Sequence, residues 1–440
     1  MSGSLTTFGL GKESVYGTPV VSTAFYEIMK EDLKGAYNRM QAEALSSSYV
    51  DRSDRYAIAA KGAAGSVDVE VLTKNFGNWL GFMLGTVQTT GPTDTTAYVH
   101  TGTIGNLTGK SFTAQVGRAA YDGTLYPWTY EGGKVTGWEF SNAVDQTLKA
   151  SLTLDFEKES NPDSFSPTKA VVEFTPASAG SDVWDYSGAN GQTFTINDGS
   201  GAETVALNTD CTNIAGVVSA VDTALSTKYD VSADSTKVKI QAHTAGAKTF
   251  VIGGTSAALI TGSSGYVNTP GLADPYSLIT ATVPTGAEVL AWQGGTITIA
   301  GSTIDISDFT VKVDNALKTD RWYINSAGSK KEPVQDGKRK ITWSFKTPYV
   351  DNSWWKKVSA ATASGATGAI SATWTGSTLA GSATVYPSLA ITIPVGRFDE
   401  GVPTVDGPSM LEPSYSGVGL YNGTDSAITV AYTTTDVTVM

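Results

Sequence analysis

Residues 148–156 read Leu-Lys-Ala-Ser-Leu-Thr-Leu-Asp-Phe, and apolar and polar side chains alternate through almost all of this stretch. Successive side chains of a β-strand point to opposite faces of its sheet, so this period of two predicts a strand with one buried face. Residues 65–72, Gly-Ser-Val-Asp-Val-Glu-Val-Leu, alternate in the same way and predict a second half-buried strand. Both stretches favour a mainly β protein.

Similar segments recur at short intervals before and after a central region of different composition. The further predicted strands are Ser111–Ala119, Trp128–Glu131, Val135–Ser141, Ala170–Phe174, Thr296–Ala300, Asp308–Val313, Arg339–Phe345, Ser388–Ile393, Gly417–Tyr421 and Ile428–Tyr432. Gly132-Gly133 predicts a hairpin turn between two of them, because glycine suits the positive φ angles of tight hairpin turns. Residues 1–64 are weakly patterned, and we expect an extended arm followed by a long loop.

One short helix is predicted directly after the strand at residues 65–72. Its apolar residues recur at helical spacing and share one face, which indicates a core helix: Phe76, Trp79, Leu80, Met83 and Leu84. Thr73 or Asn75 is a suitable N-cap, and Gly85 suits the left-handed position that follows a helix.

Residues 177–275 have the pattern of a separate small domain. Strands are predicted at Thr193–Ile196, Glu203–Leu207, Lys237–Ala242 and Lys248–Ile252. Between the second and third of these lies a helix with Ile214, Val217, Val218, Val221 and Leu225 on one face and Thr212 or Asn213 as its cap. The flanks are rich in Ser, Gly and Pro, so this ββαββ unit is predicted to be an inserted domain.

The two outer regions echo each other. In the first, the strand at Val67–Leu72 leads into the helix that contains Asn78-Trp79. In the second, Lys340-Ile-Thr-Trp-Ser-Phe leads into Asp351-Asn-Ser-Trp-Trp-Lys-Lys-Val, where Asp351 or Asn352 can cap a second short helix. We therefore predict two similar β folds in tandem, residues 1–176 and 276–440, each with a short flanking helix, around the insertion at residues 177–275.

Composition argues against several functional classes. A formal net charge of −12 speaks against a surface that binds nucleic acid. The single Cys211 and the two histidines, His100 and His243, offer no zinc spacing and no convincing catalytic arrangement. We therefore expect no catalytic, cofactor or metal site, and no enzyme. No apolar stretch approaches 18 residues and no signal peptide is apparent, so no membrane association is expected.

Several segments together resemble the tail tube proteins of long-tailed bacteriophages. In the first half these are Gly65-Ser-Val-Asp-Val-Glu-Val, the helix that ends at Met83-Leu-Gly85, Tyr98-Val-His100-Thr and Tyr130-Glu-Gly-Gly-Lys-Val-Thr-Gly-Trp-Glu-Phe. In the second half they are Thr298-Ile-Ala-Gly-Ser, Phe309-Thr-Val-Lys-Val-Asp-Asn315 and Glu332-Pro-Val-Gln-Asp-Gly-Lys. The insertion, with Phe194-Thr-Ile-Asn-Asp-Gly and Val238-Lys-Ile-Gln-Ala, resembles the surface insertions of flagellin, hook and phage tail proteins.

The resemblance implies a structural protein with a β-sandwich or barrel core and a flanking helix. Its partners would be further copies of itself, in rings of three or six chains that stack into a tube, together with the tape-measure protein and the tail terminator and tip proteins. Genomic DNA would pass through the lumen without specific binding. The protein would be made in the cytoplasm of the bacterial host and reside in the virion tail. Such a family offers no catalytic residue to transfer.

Two expectations follow for the assembled tube. The N-terminal region and the loop around residues 42–61 are expected to form the contacts between stacked rings, with Asp51, Arg52, Asp54 and Arg55 as candidate charged partners. The channel wall is expected to be net negative, so that DNA does not adhere to it. Two other interpretations remain open, a cell-surface adhesin of tandem immunoglobulin-like domains and a lectin-like β protein that uses exposed tryptophans such as Trp354 and Trp355.

Overall fold

The computed structural model describes residues 2–41, 43, 50, 53–94, 96–160, 168–176, 184, 192–207, 210–246, 248–271, 274–377, 379, 381, 384–405, 407–408 and 410–440. The chain divides into two compact units. One combines Met1–Asn161 with Tyr276–Met440, and the other is Pro162–Pro275. The mainly β fold predicted from the alternating segments is confirmed.

Eleven strands lie in the described residues of the first half of the larger unit. They are β1 (Thr7–Lys12), β2 (Ala24–Tyr26), β3 (Ile28–Glu31), β4 (Lys34–Gln41), β5 (Tyr56–Glu70), β6 (Gly85–Thr93), β7 (Ala97–Ile104), β8 (Phe112–Ala119), β9 (Leu125–Ala143), β10 (Lys149–Phe156) and β11 (Lys158–Ser160). Their antiparallel pairing follows the order β1-β8-β9-β10-β5-β3, and β4 continues β3 along the same edge of β5. β11 extends β10 along β9.

The second half of the larger unit repeats this arrangement. Its strands are β19 (Gly295–Ile299), β20 (Ser302–Thr303), β21 (Asp308–Asp314), β22 (Leu317–Lys318), β23 (Val334–Gln335), β24 (Lys340–Lys346), β25 (Thr367–Thr375), β26 (Ser388–Glu400), β27 (Ser414–Gly419) and β28 (Thr429–Thr434). Their antiparallel pairing follows the order β19-β25-β26-β27-β24-β21. β28 also pairs with β26, in the same way that β11 pairs with β9 in the first half. Each strand of this series thus has a counterpart in the first half.

The correspondence extends to single residues of the two long strands, β9 and β26. Gly133 pairs with Phe112 on β8, and Gly396 pairs with Gly368 on β25, each immediately beside a β-bulge. Three residues further on, Thr136 of β9 and Asp399 of β26 are each skipped in the pairing with β10 and β27. Bulges at matching positions are specific features of a strand, so the two halves are repeats of one fold.

The predicted hairpin turn at Gly132-Gly133 is wrong, because β9 runs through both residues as one continuous strand. Gly132 has φ of 66°, and a Cβ on Gly133 would lie 2.6 Å from the Phe112 ring. The two glycines allow β9 to bend, so that its first part pairs with β8 and its second part with β10. The two glycines correctly indicate a change of chain direction at residues 132–133. Glycine is needed both in a strand bend and in a hairpin turn, so the sequence alone does not distinguish the two.

The predicted N-terminal arm is also corrected. β1 pairs with β2 on one side and β8 on the other, and Phe8 and Leu10 are fully buried. The Phe8 ring stacks on Trp79 with the ring centroids 6.3 Å apart. Residues 7–12 are therefore part of the core. The arm is instead the hairpin of β4 and the start of β5, where seven of the eight β4 residues are exposed.

The helix predicted at residues 76–84 is confirmed as a 3₁₀ turn, Phe76–Trp79, followed by α1, Leu80–Leu84. All nine residues are buried, and Gly85 has φ of 99° as expected for the residue that ends the helix. Neither predicted N-cap makes a capping hydrogen bond, since Asn75 accepts from Asn78 Nδ2 and Thr73 from the Glu288 amide. One continuous hydrophobic core includes this helix and both halves of the unit.

The smaller unit has its own core. Its elements are β12 (Val171–Phe174), β13 (Gln192–Asn197), β14 (Glu203–Leu207), α2 (Ile214–Leu225), β15 (Tyr229–Asp234), β16 (Lys237–Ala242), β17 (Val251–Gly253), α3 (Ala257–Thr261) and β18 (Val267–Thr269). The Asn213 side chain accepts a hydrogen bond from the Gly216 amide, as predicted for the cap of α2. β12 pairs with β16 and β18, so this strand, predicted to end the first outer region, lies in the smaller unit.

The last helix of the chain is α4, Ser353–Val358. Asn352 occupies its N-cap position, but the carboxylate of Asp351 provides the hydrogen bond, accepting from the Ser353 amide at 2.7 Å. The Trp354 ring packs on Phe345 and Phe398 with centroid distances of 5.8 and 5.9 Å, whereas Trp355 is 40% exposed. The two rings therefore do not form a joint platform for a sugar.

Candidate assembly surfaces

The longest continuous sheet of the larger unit has one hydrophilic side. It runs through β5, β10, β9, β21, β24 and β27, and we call its outward side the polar face. Along β21, Phe309, Val311 and Val313 are buried while the residues between them are exposed or half-buried. The same alternation along β24 and β27 leaves mainly Ser, Thr and charged side chains on the outward side.

Charges of both signs are interspersed on the polar face. The polar face carries five carboxylates and four lysines that face solvent, counted on β5 from Ala64 onward and on the other five strands. These are Asp68, Glu70, Glu139, Asp308 and Asp314, and Lys149, Lys312, Lys340 and Lys346. The face is thus close to neutral with one excess negative charge, although the chain as a whole carries −12.

Among the described residues, two strand pairs join the halves, β28 with β7 and β21 with β9. β21 of the second half pairs antiparallel with the second part of β9, from Asp308 opposite Ala143 to Asp314 opposite Gly137. Lys312 lies opposite Glu139, with its Nζ 3.6 Å from a carboxylate oxygen. Strand addition of this kind forms many backbone hydrogen bonds without a special side-chain motif.

Two second-half side chains reinforce this joint at the carboxyl end of α1. The fully buried Asn315 donates from Nδ2 to the carbonyls of Met83, at 3.1 Å, and Val135, at 2.9 Å. The Arg339 guanidinium donates to the carbonyls of Leu84, at 3.0 Å, and Gly105, at 2.6 Å. The last carbonyls of a helix have no partner within it. Leu84 accepts from the Gly105 amide and Met83 from Trp138 Nε1, both in the first half, and the second-half donors add to these bonds.

Residues 319–333, which connect β22 to β23, lie on the first half and form a further joint. Lys330 Nζ is 2.5 Å from the carboxylate of Asp155 on β10, and Trp322 Nε1 donates to the Lys61 carbonyl at 3.1 Å. Burial raises the pKa of Asp155 to about 6, and the neighbouring Lys330 opposes that rise. Glu332 accepts from Lys134 Nζ at 2.5 Å, and burial lowers the pKa of Lys134 against the effect of Glu332.

The residues predicted to connect stacked rings are only partly placed. Asp51 and Arg52 lie outside the described residues. Asp54 and Arg55 are exposed in the turn that leads into β5, at the far end of the β4–β5 hairpin. Large side chains on this hairpin are also exposed, with Tyr37 at 47%, Met40 at 59% and Tyr56 at 59%. A two-stranded hairpin with both faces in water gains little stability alone, which favours a contact with another molecule.

Sequence reasoning missed most residues of the joints. Asn315, Lys330 and Arg339 are ordinary polar residues in the sequence, and only their hydrogen bonds to the other half make them important.

Side chains that can carry chemistry are used structurally. His100 is fully buried, with Nδ1 2.8 Å from Thr89 Oγ1 and Nε2 2.8 Å from the Asp436 carbonyl. Cys211 is buried in the smaller unit, where its backbone pairs with Trp184. Within the described residues, no three His, Cys, Asp or Glu side chains are grouped so that they could hold a metal ion. No helix in the described part of the chain has the length and hydropathy needed to cross a membrane.

Comparison with known proteins gives one match. The family model described as phage tail tube protein matches two segments, residues 3–287 and 265–433, which together span nearly the whole chain. No curated protein matches the chain. The two matched segments include the first and second halves of the larger unit, respectively.

Proposed function

Since the chain belongs to the phage tail tube protein family, we propose that it polymerises into stacked rings whose common bore conducts the genome during ejection. The protein is a structural component of the virion tail. Its proposed partners are further copies of itself, the tape-measure protein, and the tail terminator and tip proteins. It is proposed to catalyse nothing and to need no cofactor, and its synthesis is assigned to the host cytoplasm.

The observation that carries the ring proposal is the edge-to-edge joint of two repeated folds. β9 and β21 make one sheet of two halves, so the polar face already extends across two repeats within a single chain. A repeat that pairs head-to-tail with the next repeat generates a ring when the rotation closes. Three chains would supply six repeats, and we propose that number for each ring.

The polar face is the proposed wall of the bore. It is continuous between the halves, and Ser, Thr and charged residues predominate at the outward positions described above, with Val418 as an apolar exception. Its mixed charges, with carboxylates in slight excess, would not bind phosphates as a lysine-rich surface does. The unit Pro162–Pro275 is proposed to project from the outside of the tube, with its own core and no part in ring closure.

The exposed hairpin of β4 and β5 is proposed to contact a neighbouring copy. We expect Asp51, Arg52, Asp54 and Arg55 to contribute to contacts between stacked rings, and the exposure of Tyr37, Met40 and Tyr56 supports a contact of this hairpin. These aromatic and methionine side chains are typical of protein interfaces.

Electron microscopy of the purified protein tests the proposed function. Tubes or rings are expected, and their assembly should depend on protein concentration. Monomers at all concentrations would contradict the proposal. Monomers that bind glycan arrays or host cells would favour the lectin-like or adhesin alternative.

A further inference from the structure

The outer edge of β3 and β4 is closed by side chains where the two strands meet. Asp32 donates its amide to the Ser66 carbonyl on β5, and Leu33, the next residue, directs its backbone groups away from β5. The Leu33 carbonyl accepts from Arg118 Nη2 at 2.5 Å and from the Tyr130 hydroxyl at 3.0 Å. Outward backbone groups of this kind are the ones that a further strand would pair with.

The outward amides of this edge are also bonded. The Leu33 amide donates to Glu31 Oε2 at 3.0 Å, and the Gly35 amide donates to Glu159 Oε2 at 2.7 Å. A Cβ on residue 35 would lie 2.9 Å from Glu159 Oε2, so a larger residue there would displace the carboxylate. The side chains that close the edge come from β3, β8, β9 and β11. We call them the edge cap: Glu31, Arg118, Tyr130 and Glu159.

The edge cap is held in place by further contacts. Arg118 binds Glu31 through two bonds, from Nε to Oε1 at 2.9 Å and from Nη2 to Oε2 at 2.8 Å. The guanidinium carbon lies 5.0 Å from the centroid of the Trp128 ring, and Tyr130 is fully buried. A bidentate pair of arginine and carboxylate fixes the geometry of both groups. The donors are therefore positioned before any partner approaches.

Two further features make this edge a poor template for another strand. Lys30 and Lys34 are exposed on it. The pairing with β5 is interrupted by β-bulges, between Ile28 and Lys30 and between Tyr37 and Arg39. Lysines and bulges are means by which proteins protect sheet edges from unintended pairing. In the second half, β21 has the equivalent place beside β24, and β9 covers its outer edge instead.

We propose that the edge cap is an autoinhibitory contact, which closes the edge of β3 and β4 in the free subunit to β-strands of other copies. Without it, the Leu33 carbonyl and the Gly35 amide would be available to such strands, and open-ended association would follow. The cap acts on the subunit before assembly, so the proposal is independent of the ring proposed above.

Hydrogen exchange of the wild-type subunit tests the cap without any substitution. Under conditions in which the protein is monomeric, the amides of Leu33 and Gly35 should exchange at least about a hundredfold more slowly than in an unstructured peptide. Glu159→Ala should restore most of that rate at Gly35 and leave Leu33 protected. Exchange of both wild-type amides at the unstructured rate would overturn the proposal.

Self-association tests the consequence of the cap. Arg118→Leu with Glu159→Ala should form irregular aggregates at a concentration about tenfold below that needed by the wild type, as measured by light scattering and electron microscopy. Arg397→Leu is the matched control, because Arg397 makes an equivalent bidentate pair with Asp399. Glu159→Gln retains an acceptor oxygen and should stay within about twofold of wild type.

The outcomes separate the cap from a general loss of stability and from the proposed function. A double variant that is folded by circular dichroism and aggregates no more than Arg397→Leu would overturn the proposal. If the double variant does not fold, Glu159→Ala alone decides, since it leaves the pair of Arg118 and Glu31 intact, and wild-type behaviour of this variant in both measurements would overturn the proposal. Absence of wild-type rings would refute the proposed function and leave the cap unaffected.

Discussion

Lys330 and Asp155 are 175 positions apart in the chain, yet the lysine Nζ lies 2.5 Å from the carboxylate and each side chain is only 7% exposed. Lys330 belongs to the segment between β22 and β23, and Asp155 to β10 of the other half. The pair therefore links two repeats of one fold where water has little access. The second carboxylate oxygen of Asp155, Oδ2, has no hydrogen-bond partner among the described residues. Lys330 therefore provides the main stabilisation of the charged carboxylate.

Lys330→Met should destabilise the folded subunit by about 3–5 kcal/mol at pH 8, because it leaves the buried carboxylate of Asp155 without its cation. Urea unfolding of the unassembled protein measures this. Lys330→Met combined with Asp155→Leu should recover most of the loss. As a control, Lys318→Met removes a 46% exposed lysine from pairs with Asp320 and Asp336. That change should cost less than about 1 kcal/mol, and an equal cost for both lysines would contradict the account.

The Asp155 carboxyl predicts a pH dependence of stability. Its pKa is raised from 3.8 to about 6 in the folded protein, chiefly by burial. The folded state then holds this proton more tightly than the unfolded chain, so the contribution is complete below about pH 4 and is lost as the pH rises through about 6. The free energy of unfolding of the wild type should fall across this window relative to that of Asp155→Asn. Parallel profiles for the two proteins would contradict the assignment.

Removal of residues 162–275 should leave tube formation intact. The segments that flank the deletion are held by one carboxylate, since Glu131 Oε1 accepts from both Ser160 Oγ and the Tyr276 hydroxyl. A short Gly/Ser linker should therefore connect them without strain, and electron microscopy should show tubes of smaller outer diameter.

The position of the cut matters for this experiment. Deletion of Ala179–Pro270 would keep β12 but remove both of its neighbours, β16 and β18. The buried side chains of Val172 and Phe174 would then face water, so this variant should be poorly soluble. Folded, soluble subunits of the 162–275 deletion that form no tubes would refute the proposed role of the smaller unit.

Additional lysines on the polar face should make the tube retain DNA. Thr153→Lys with Thr310→Lys raises the number of lysines on the polar face from four to six per chain, against five carboxylates. The face then has a net positive charge and should bind phosphates in a salt-dependent manner. Thr153→Gln with Thr310→Gln is the matched neutral control. DNA retention by assembled tubes can be measured by filter binding at several salt concentrations. Equal retention by both variants would show that this face does not line the bore.

Much of the fold could be predicted because the half-buried strands keep the period of two. Leu148–Phe156, Lys237–Ala242 and the helix at residues 214–225 agree with the structure to within one residue. The N-terminal strand was missed because Thr7–Lys12 reads Thr-Phe-Gly-Leu-Gly-Lys, and its glycines remove the alternation of side-chain size. Those glycines are required where Gly9 approaches Ser22 and Phe25, and where Gly11 approaches Val21.

The assembly surfaces could be predicted less well than the strands. A joint between repeats depends on which residues the other repeat covers, and nothing local distinguishes the buried Asn315 from the exposed Asn38. The tandem arrangement was visible because a strand-plus-helix pattern occurs twice. The matching bulges of β9 and β26 became visible only through the strand pairing.

The copy number of the ring tests the central claim most directly. Cryo-electron microscopy of assembled tubes, reconstructed without imposed symmetry, counts the chains and locates both repeats of each. We predict three chains and six repeats per ring, with Asp308–Asp314 against β9 inside each chain. A ring of six chains with two complete repeats each would contradict the account.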